Sequence, residues 1–179
     1  MRNLYLIRHC QAVGQEPEAE LTAKGKVQAK QLADFFEQIE LERVISSPFV
    51  RAVETAQPIA QLKKLDVEQD IRLSERVLSK VDLPDWLDRL KESFADPDLK
   101  MPGGESASEA MSRGWEVVCE LTEARGEAAL VTHGNLLSLM LKQIDPQTGF
   151  EEWRALTNPD VYKVSYQNDS WTFSRVWTE

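Results

Sequence analysis

The 179-residue chain carries 21 lysines and arginines against 30 aspartates and glutamates, a formal net charge of −9 at pH 7. This acidic balance argues against nucleic-acid and anionic-membrane partners, which are normally met by a basic surface. No segment approaches the roughly 18 consecutive apolar residues of a membrane span. Two cysteines are too few for a disulfide framework. The apolar run before Arg8 is too short for a secretory signal, so we expect a single cytoplasmic domain over residues 1–179.

Short apolar segments alternate along the chain with segments of helical periodicity. The predicted strands are 3–7, 43–46 and 128–132, followed by a C-terminal hairpin of 162–166 and 171–176. The predicted helices are 22–38, 50–62, 83–94, 107–125 and 134–144. This alternation predicts an α/β protein with a mixed, mainly parallel sheet covered by helices on both faces.

Three of the predicted helices carry features that can be checked individually. Pro58 should cut the 50–62 helix short, because proline lacks an amide donor. Ser106 and Glu109 have the spacing of a capping box, which predicts a helix start at residue 107 rather than a ligand role for Ser106. In the 83–94 segment, Trp86 and Phe94 belong to an apolar stripe expected to face the core, with contact to a substrate as the alternative.

Both histidines of the sequence follow predicted strands directly. His9 comes after 3–7 and His133 after 128–132. Ligands of parallel α/β sheets bind beyond the carboxyl ends of the strands. We therefore expect His9 and His133 to lie in one binding site.

The residues around the two histidines suit phosphoryl chemistry. An imidazole can attack phosphorus and form a phosphohistidine, which divides one difficult displacement into two steps. Arg8 and Arg51 could neutralise the phosphoryl oxygens with paired donors. His133 could add a donor, and Gly134 would open a helix whose backbone N–H groups favour an anion. A proton donor for the leaving oxygen is also required, and spacing alone leaves several carboxylates open.

Five segments, in this order, resemble the histidine phosphatase superfamily, which includes the cofactor-dependent phosphoglycerate mutases. The segments are LIRHCQA, SSPFVRAVETA, LSER, PGGES and VTHGN. The similarity extends from Met1 to about Leu141. The ordered set is specific, whereas each segment alone would be weak.

The resemblance implies a three-layer α/β/α sandwich and assigns a role to each matching residue. It makes His9 the nucleophile, places Arg8, Arg51 and His133 in the phosphate pocket, and makes Glu75 the general acid and base. It implies no metal and no organic cofactor. The expected partner is a small phosphorylated metabolite, and the oligomeric state is not predicted.

The sequence departs from the family pattern at Cys10, which stands where glycine is usual after the nucleophile. Its thiol could be reactive beside Arg8, or it could serve only as a spacer. The segment 13–16 lacks the Trp-Asn pair of the mutases, and the connection 75–103 is shorter than theirs. Both features favour hydrolysis over return of the phosphoryl group.

The sequence leaves several alternatives open. Glu105 could line the pocket, or it could be an acidic residue favoured near a helix N-terminus. The connection 79–104 is expected to act as a lid or as a substrate-specificity segment. A mutase and a catalytically silent phosphate-binding protein are the competing functions. A metallohydrolase is a weaker idea, because the two histidines lack HExxH spacing.

Overall fold

The computed structural model describes residues 2–123 and 126–178, which form a six-stranded mixed sheet. The strands are β1 (Arg2–Arg8), β2 (Leu41–Ser46), β3 (Val67–Gln69), β4 (Glu127–Thr132), β5 (Asp160–Gln167) and β6 (Ser170–Arg175). Their order is β3-β2-β4-β1-β5-β6, in which the first four strands run parallel, β5 is antiparallel to β1 and β6 is antiparallel to β5.

Helices cover both faces of the sheet. They are α1 (Ala23–Phe35), α2 (Val50–Lys63), α3 (Trp86–Ala95), α4 (Ala107–Glu123), α5 (Gly134–Ile144) and α6 (Phe150–Arg154), with a short 3-10 helix at Ile71–Leu73. Side chains alternate across a strand, so Leu4 and Leu6 of β1 face one core with α3, α4 and α5. Tyr5 and Ile7 face the other core, with α1 and α2. The predicted three-layer α/β/α arrangement is confirmed.

The prediction that Pro58 cuts its helix short is wrong, because α2 continues to Lys63. Ile59 and Ala60, which follow the proline, are buried in the core on the α1–α2 side. Their packing outweighs the one backbone hydrogen bond that proline cannot donate.

The apolar stripe of 83–94 is confirmed only in its second half. Leu90 and Phe94 are buried, but Trp86 and Leu87 are 50% and 43% exposed. Helical spacing identifies a common face, yet it does not establish that the whole face meets another element. The first turn of α3 therefore leaves large apolar side chains at the surface.

Other boundaries agree closely with the sequence patterns. Ser106 and Glu109 form the predicted capping box, with each side chain accepting from the other residue's backbone N–H. The predicted end of that helix at Arg125 lies outside the described residues. Helix α1 ends at Phe35, three residues before the predicted end. The hairpin is confirmed, and Asn168 and Asp169 adopt the positive φ angles of its tight turn.

The sequence patterns missed β3 and α6, which are only three and five residues long. Segments of this length show too few repeats to reveal a period. None of the helices in the described part of the chain is long and apolar enough to cross a membrane.

Candidate active site

Three parallel strands end side by side and bring the predicted site residues together. His9 follows β1, Ser47 follows β2 and His133 follows β4. Backbone hydrogen bonds hold these ends in register, from His9 N to the Thr132 carbonyl and from Ser47 N to the Val131 carbonyl. The rings of His9 and His133 lie 5.1 Å apart, centroid to centroid. The strand ends therefore meet as the sequence predicted.

His9 is buried and held as a neutral ring with a defined tautomer. Its Nδ1 donates to the backbone carbonyl of Cys10 at 2.7 Å, and its Nε2 accepts from Nε of Arg51 at 3.1 Å. The pKa of His9 is lowered to about 3, mainly by burial; the bond to the Cys10 carbonyl opposes this shift, and the charges of Arg51 and Arg8 add to it. At neutral pH Nε2 is therefore unprotonated, and it can attack an electrophile once Arg51 gives up its hydrogen bond to this atom.

Arg51 comes from the first turn of α2 and is only 1% exposed. Besides its bond to His9, it donates from Nη1 to the Glu16 carbonyl, and its guanidinium lies 5.0 Å from the ring centroid of Phe49. Burial lowers the pKa of Arg51, and the carboxylates of Glu75 and Glu16 oppose that effect. Arg51 is therefore not a solvated surface arginine.

His133 is fully buried beside Ser47. Its Nε2 lies 2.7 Å from the Ser47 hydroxyl oxygen, while its Nδ1 has no hydrogen-bond partner within the described residues. Burial lowers the pKa of His133 well below its usual value, and neighbouring positive groups add to this effect. If the hydroxyl donates to Nε2, Nδ1 carries the proton and can donate to a ligand.

Arg8 approaches the start of α5, where Gly134 permits close contact. A Cβ atom at Gly134 would lie 3.1 Å from the Arg8 Nε and 3.2 Å from its Cζ. The Arg8 Nε is buried and has no hydrogen-bond partner in the described part of the chain. The side-chain amide of Asn135 is likewise buried and unpartnered there. Unpartnered donors beside a helix N-terminus are suited to an anionic ligand.

The Glu75 carboxylate is fixed by backbone N–H groups. It accepts from Asn135 at 3.0 Å and Leu136 at 2.9 Å in the first turn of α5, and from Arg76 at 2.8 Å. The same carboxylate opposes the effect of burial on the pKa of Arg8 and of Arg51. The Glu75 carboxylate therefore lies close enough to both arginines to stabilise their positive charges.

A family model with the description "Histidine phosphatase superfamily (branch 1)" matches residues 4–178 of the chain. The chain belongs to this superfamily. The resemblance inferred from five short segments is thereby confirmed, and the match extends beyond Leu141 through the C-terminal hairpin.

Individual proteins and solved structures resemble the chain over nearly its whole length. The probable phosphoglycerate mutase GpmB of Proteus mirabilis is 29% identical over 189 residues, covering 96% of this chain and 88% of the relative. The structure of a mycobacterial glucosyl-3-phosphoglycerate phosphatase with inorganic phosphate has a TM-score of 0.81 at 25% identity, covering 99% and 97% of the two chains. YhfR of Bacillus stearothermophilus shares the fold, with a TM-score of 0.79 at 23% identity over 98% and 96%.

Glu105 lies near Glu75 but is paired with a cation. Its carboxylate accepts from Nε and Nη2 of Arg113, while Arg113 also donates to the carbonyls of Arg72 and Ser74. Glu75, Glu105 and Arg113 line the same cleft. In this member of the histidine phosphatase superfamily, Glu105 therefore forms an ion pair within the cleft, and a role in binding substrate stays a prediction.

Cys10 packs into the core and is fully buried. Its backbone N–H donates to the Thr55 hydroxyl, and burial raises the pKa of its thiol to about 12. A thiol held in the neutral form is a poor nucleophile. The structure thus favours the spacer interpretation of Cys10 over a reactive thiol.

Two residues of the site were not singled out from the sequence. Ser47 bonds to His133, and Asn135 places unpartnered polar atoms at the start of α5. Both stand inside the segments that carry the family resemblance, which was their only signal. Within the described residues, no group of three or more His, Cys, Asp or Glu side chains is arranged to hold a metal ion.

Proposed function

We propose that this protein is a phosphomonoester hydrolase that transfers the phosphoryl group to His9 and then to water. The observation that carries the proposal is the state of His9, a buried neutral imidazole whose Nε2 faces the Arg51 guanidinium. The lone pair of Nε2 is directed at the cation that would bind the phosphoryl oxygens. A histidine kept only for core packing would not need this pairing.

In the first step, His9 Nε2 attacks phosphorus and the bond to the leaving oxygen breaks. Arg51 must then exchange its bond to Nε2 for phosphoryl oxygens, together with Arg8 and the N–H of His133. The Cys10 carbonyl accepts from His9 Nδ1 and stabilises the positive charge that the ring gains. Glu75, as the carboxylic acid, gives its proton to the leaving oxygen.

In the second step, the Glu75 carboxylate takes a proton from water while the water oxygen attacks phosphorus. The P–N bond breaks, which returns His9 to the neutral ring and releases inorganic phosphate. The three backbone N–H groups on Glu75 fix its position for both proton transfers. Because arginines and histidines supply the charge neutralisation, the proposed reaction needs no metal and no organic cofactor.

Phosphoglycerate mutase activity is the second candidate, and the name of the Proteus mirabilis relative supports it. The segment 13–16 without a Trp-Asn pair and the short 75–103 connection favour hydrolysis. The phosphatase named in the mycobacterial structure supports hydrolysis as well.

We further propose that residues 1–179 form a single histidine phosphatase-like domain, with 79–104 as its lid or substrate-specificity connection. Val77, Lys80 and Gly104 line the same cleft as Glu75. The Trp86 side chain leaves an apolar surface on the same connection. The proposed substrate is a small phosphorylated metabolite.

The test is a panel of phosphomonoesters incubated with purified protein in excess chelator. The panel contains 4-nitrophenyl phosphate, 3-phosphoglycerate, glucosyl-3-phosphoglycerate and several sugar phosphates. The proposal predicts release of inorganic phosphate at a rate that chelator does not change. Interconversion of 2- and 3-phosphoglycerate without phosphate release would instead establish the mutase, and activity that requires added magnesium would contradict the mechanism.

A further inference from the structure

The guanidinium of Arg8 is held by the segment that joins α6 to β5. Its Nη1 donates to the backbone carbonyls of Leu156 at 3.0 Å and Thr157 at 3.4 Å. The next residue, Asn158, donates from its side chain to the His9 carbonyl at 2.7 Å. The position of this segment therefore sets the positions of both Arg8 and the backbone of His9.

Asp160 fixes that segment with a buried carboxylate. Its two oxygens accept from the backbone N–H groups of Thr157 and Val161, each at 3.0 Å. Arg175 of β6 donates to them from Nε at 2.8 Å and from Nη2 at 2.7 Å, and its Nη2 also reaches the Thr157 hydroxyl at 3.2 Å. Because the Asp160 side chain has no exposed surface, these four donors take the place of water around its carboxylate oxygens.

The Asp160 charge also acts on Arg8. Arg8 and Asp160 are partners in the antiparallel pairing of β1 with β5. The Asp160 carboxylate opposes the effect of burial on the pKa of Arg8, as that of Glu75 does. If Arg175 is removed, the buried Asp160 carboxylate loses its ion-pair partner, and Arg8 is still a cation close to it. We expect Arg8 to be drawn toward it and away from the start of α5.

We propose that Asp160 and Arg175 are positioning residues that hold Arg8 at the phosphate pocket. Arg175 acts through the carboxylate and through the carbonyls of Leu156 and Thr157. The proposal rests on the proposed function, in which Arg8 binds the phosphoryl group. Through Asp160, which pairs with Arg8 at the start of β5, it adds the C-terminal hairpin to the parts of the chain that set phosphate affinity.

The test is calorimetric titration of inorganic phosphate into the folded protein and its variants. Arg175→Gln should weaken phosphate binding about 10- to 100-fold, the loss expected when one hydrogen bond to a charged group is removed. Arg43→Gln is the matched control, because Arg43 makes a similar two-bond contact with Glu68 and is 40% exposed, against 39% for Arg175. This control should leave the affinity unchanged.

A double-mutant cycle separates positioning from general destabilisation. In an Arg8→Gln background, Arg175→Gln should change the remaining phosphate affinity by less than about twofold, since coupled residues are not additive. Arg175→Lys keeps a cation beside Asp160 and should restore part of the affinity. If Arg175→Gln does not fold, Arg175→Lys is compared with the wild type in its place, with and without Arg8→Gln.

Two results would overturn the inference. One is an unchanged phosphate affinity in both Arg175 variants, and the other is an equal loss with and without Arg8. Wild-type protein that neither binds phosphate nor hydrolyses any phosphomonoester would be a failure of the proposed function itself. The two failures are therefore distinguishable.

Discussion

His9 and His133 should make the protein lose stability as the pH falls below about 6.5. Both are buried as neutral rings, and burial lowers the pKa of His9 to about 3 and that of His133 well below its usual value. In the unfolded chain both would titrate near 6.5. The unfolded state therefore binds more protons at mildly acidic pH, and stability falls as the pH falls through this window.

The magnitude follows from the protonation of the unfolded chain. At pH 5.5 an unfolded histidine is about ten to one protonated, which favours unfolding by about 1.4 kcal/mol. Relative to pH 7.5, the two buried histidines together lower the free energy of unfolding by at most about 2.7 kcal/mol, the value reached when neither ring takes up a proton in the folded protein. For a chain of this size, that corresponds to a drop in Tm of roughly 6–11 °C. No other histidine contributes to the change in stability between pH 7.5 and 5.5, because the sequence contains only these two.

The assay is thermal and urea unfolding followed by tryptophan fluorescence between pH 7.5 and 5.5, in phosphate-free buffer. His9→Gln and His133→Gln should each remove about half of the pH dependence, and the double variant should remove nearly all of it. A wild type whose stability does not change over this range would refute the neutral buried state. If the double variant loses as much stability as the wild type over this pH range, groups other than the two histidines cause the pH dependence.

Three further predictions concern single residues of the site. Ser47→Ala removes the hydroxyl group that fixes the tautomer of His133. It should lower kcat/KM for 4-nitrophenyl phosphate about tenfold, the equivalent of one hydrogen bond, and full activity would show that Ser47 has no part in the mechanism. Glu75→Gln should slow phosphoenzyme formation from alkyl phosphates by about 10²–10⁴, and from aryl phosphates less, in quenched flow; equal losses would exclude Glu75 as the leaving-group acid. A thiol reagent should modify the exposed Cys119 of the native protein but not Cys10, without loss of activity; rapid modification of both thiols would contradict the burial of Cys10.

The central arrangement of the site could be predicted because it follows from strand geometry. His9 and His133 each end a short apolar segment, and parallel strands bring such ends to one edge of the sheet. The register of β1 with β4 then sets their distance. A local pattern, combined with the rules of sheet topology, was sufficient here.

The supporting contacts could not be predicted from local patterns. Arg8 bonds to Leu156 and Thr157, which follow it by 148 and 149 positions. Asp160 and Arg175 are 15 positions apart, and their contact depends on the register of β5 with β6, which the alternation of side chains does not determine. The burial of individual side chains could not be predicted from the sequence either. The periodicity of 83–94 could not show that its first turn stays exposed. The cytoplasmic location stays a prediction.

The most direct measurement tests whether His9 carries the phosphoryl group. Protein reacted briefly with a labelled phosphomonoester is quenched in base, in which phosphohistidine is stable, and the labelled peptide is identified by mass spectrometry. The account predicts one acid-labile phosphoryl group on His9 of the wild type and none in His9→Ala, while inorganic phosphate still binds to that variant through the arginines. A phosphoryl group on another residue, or an unchanged phosphoenzyme in His9→Ala, would contradict it.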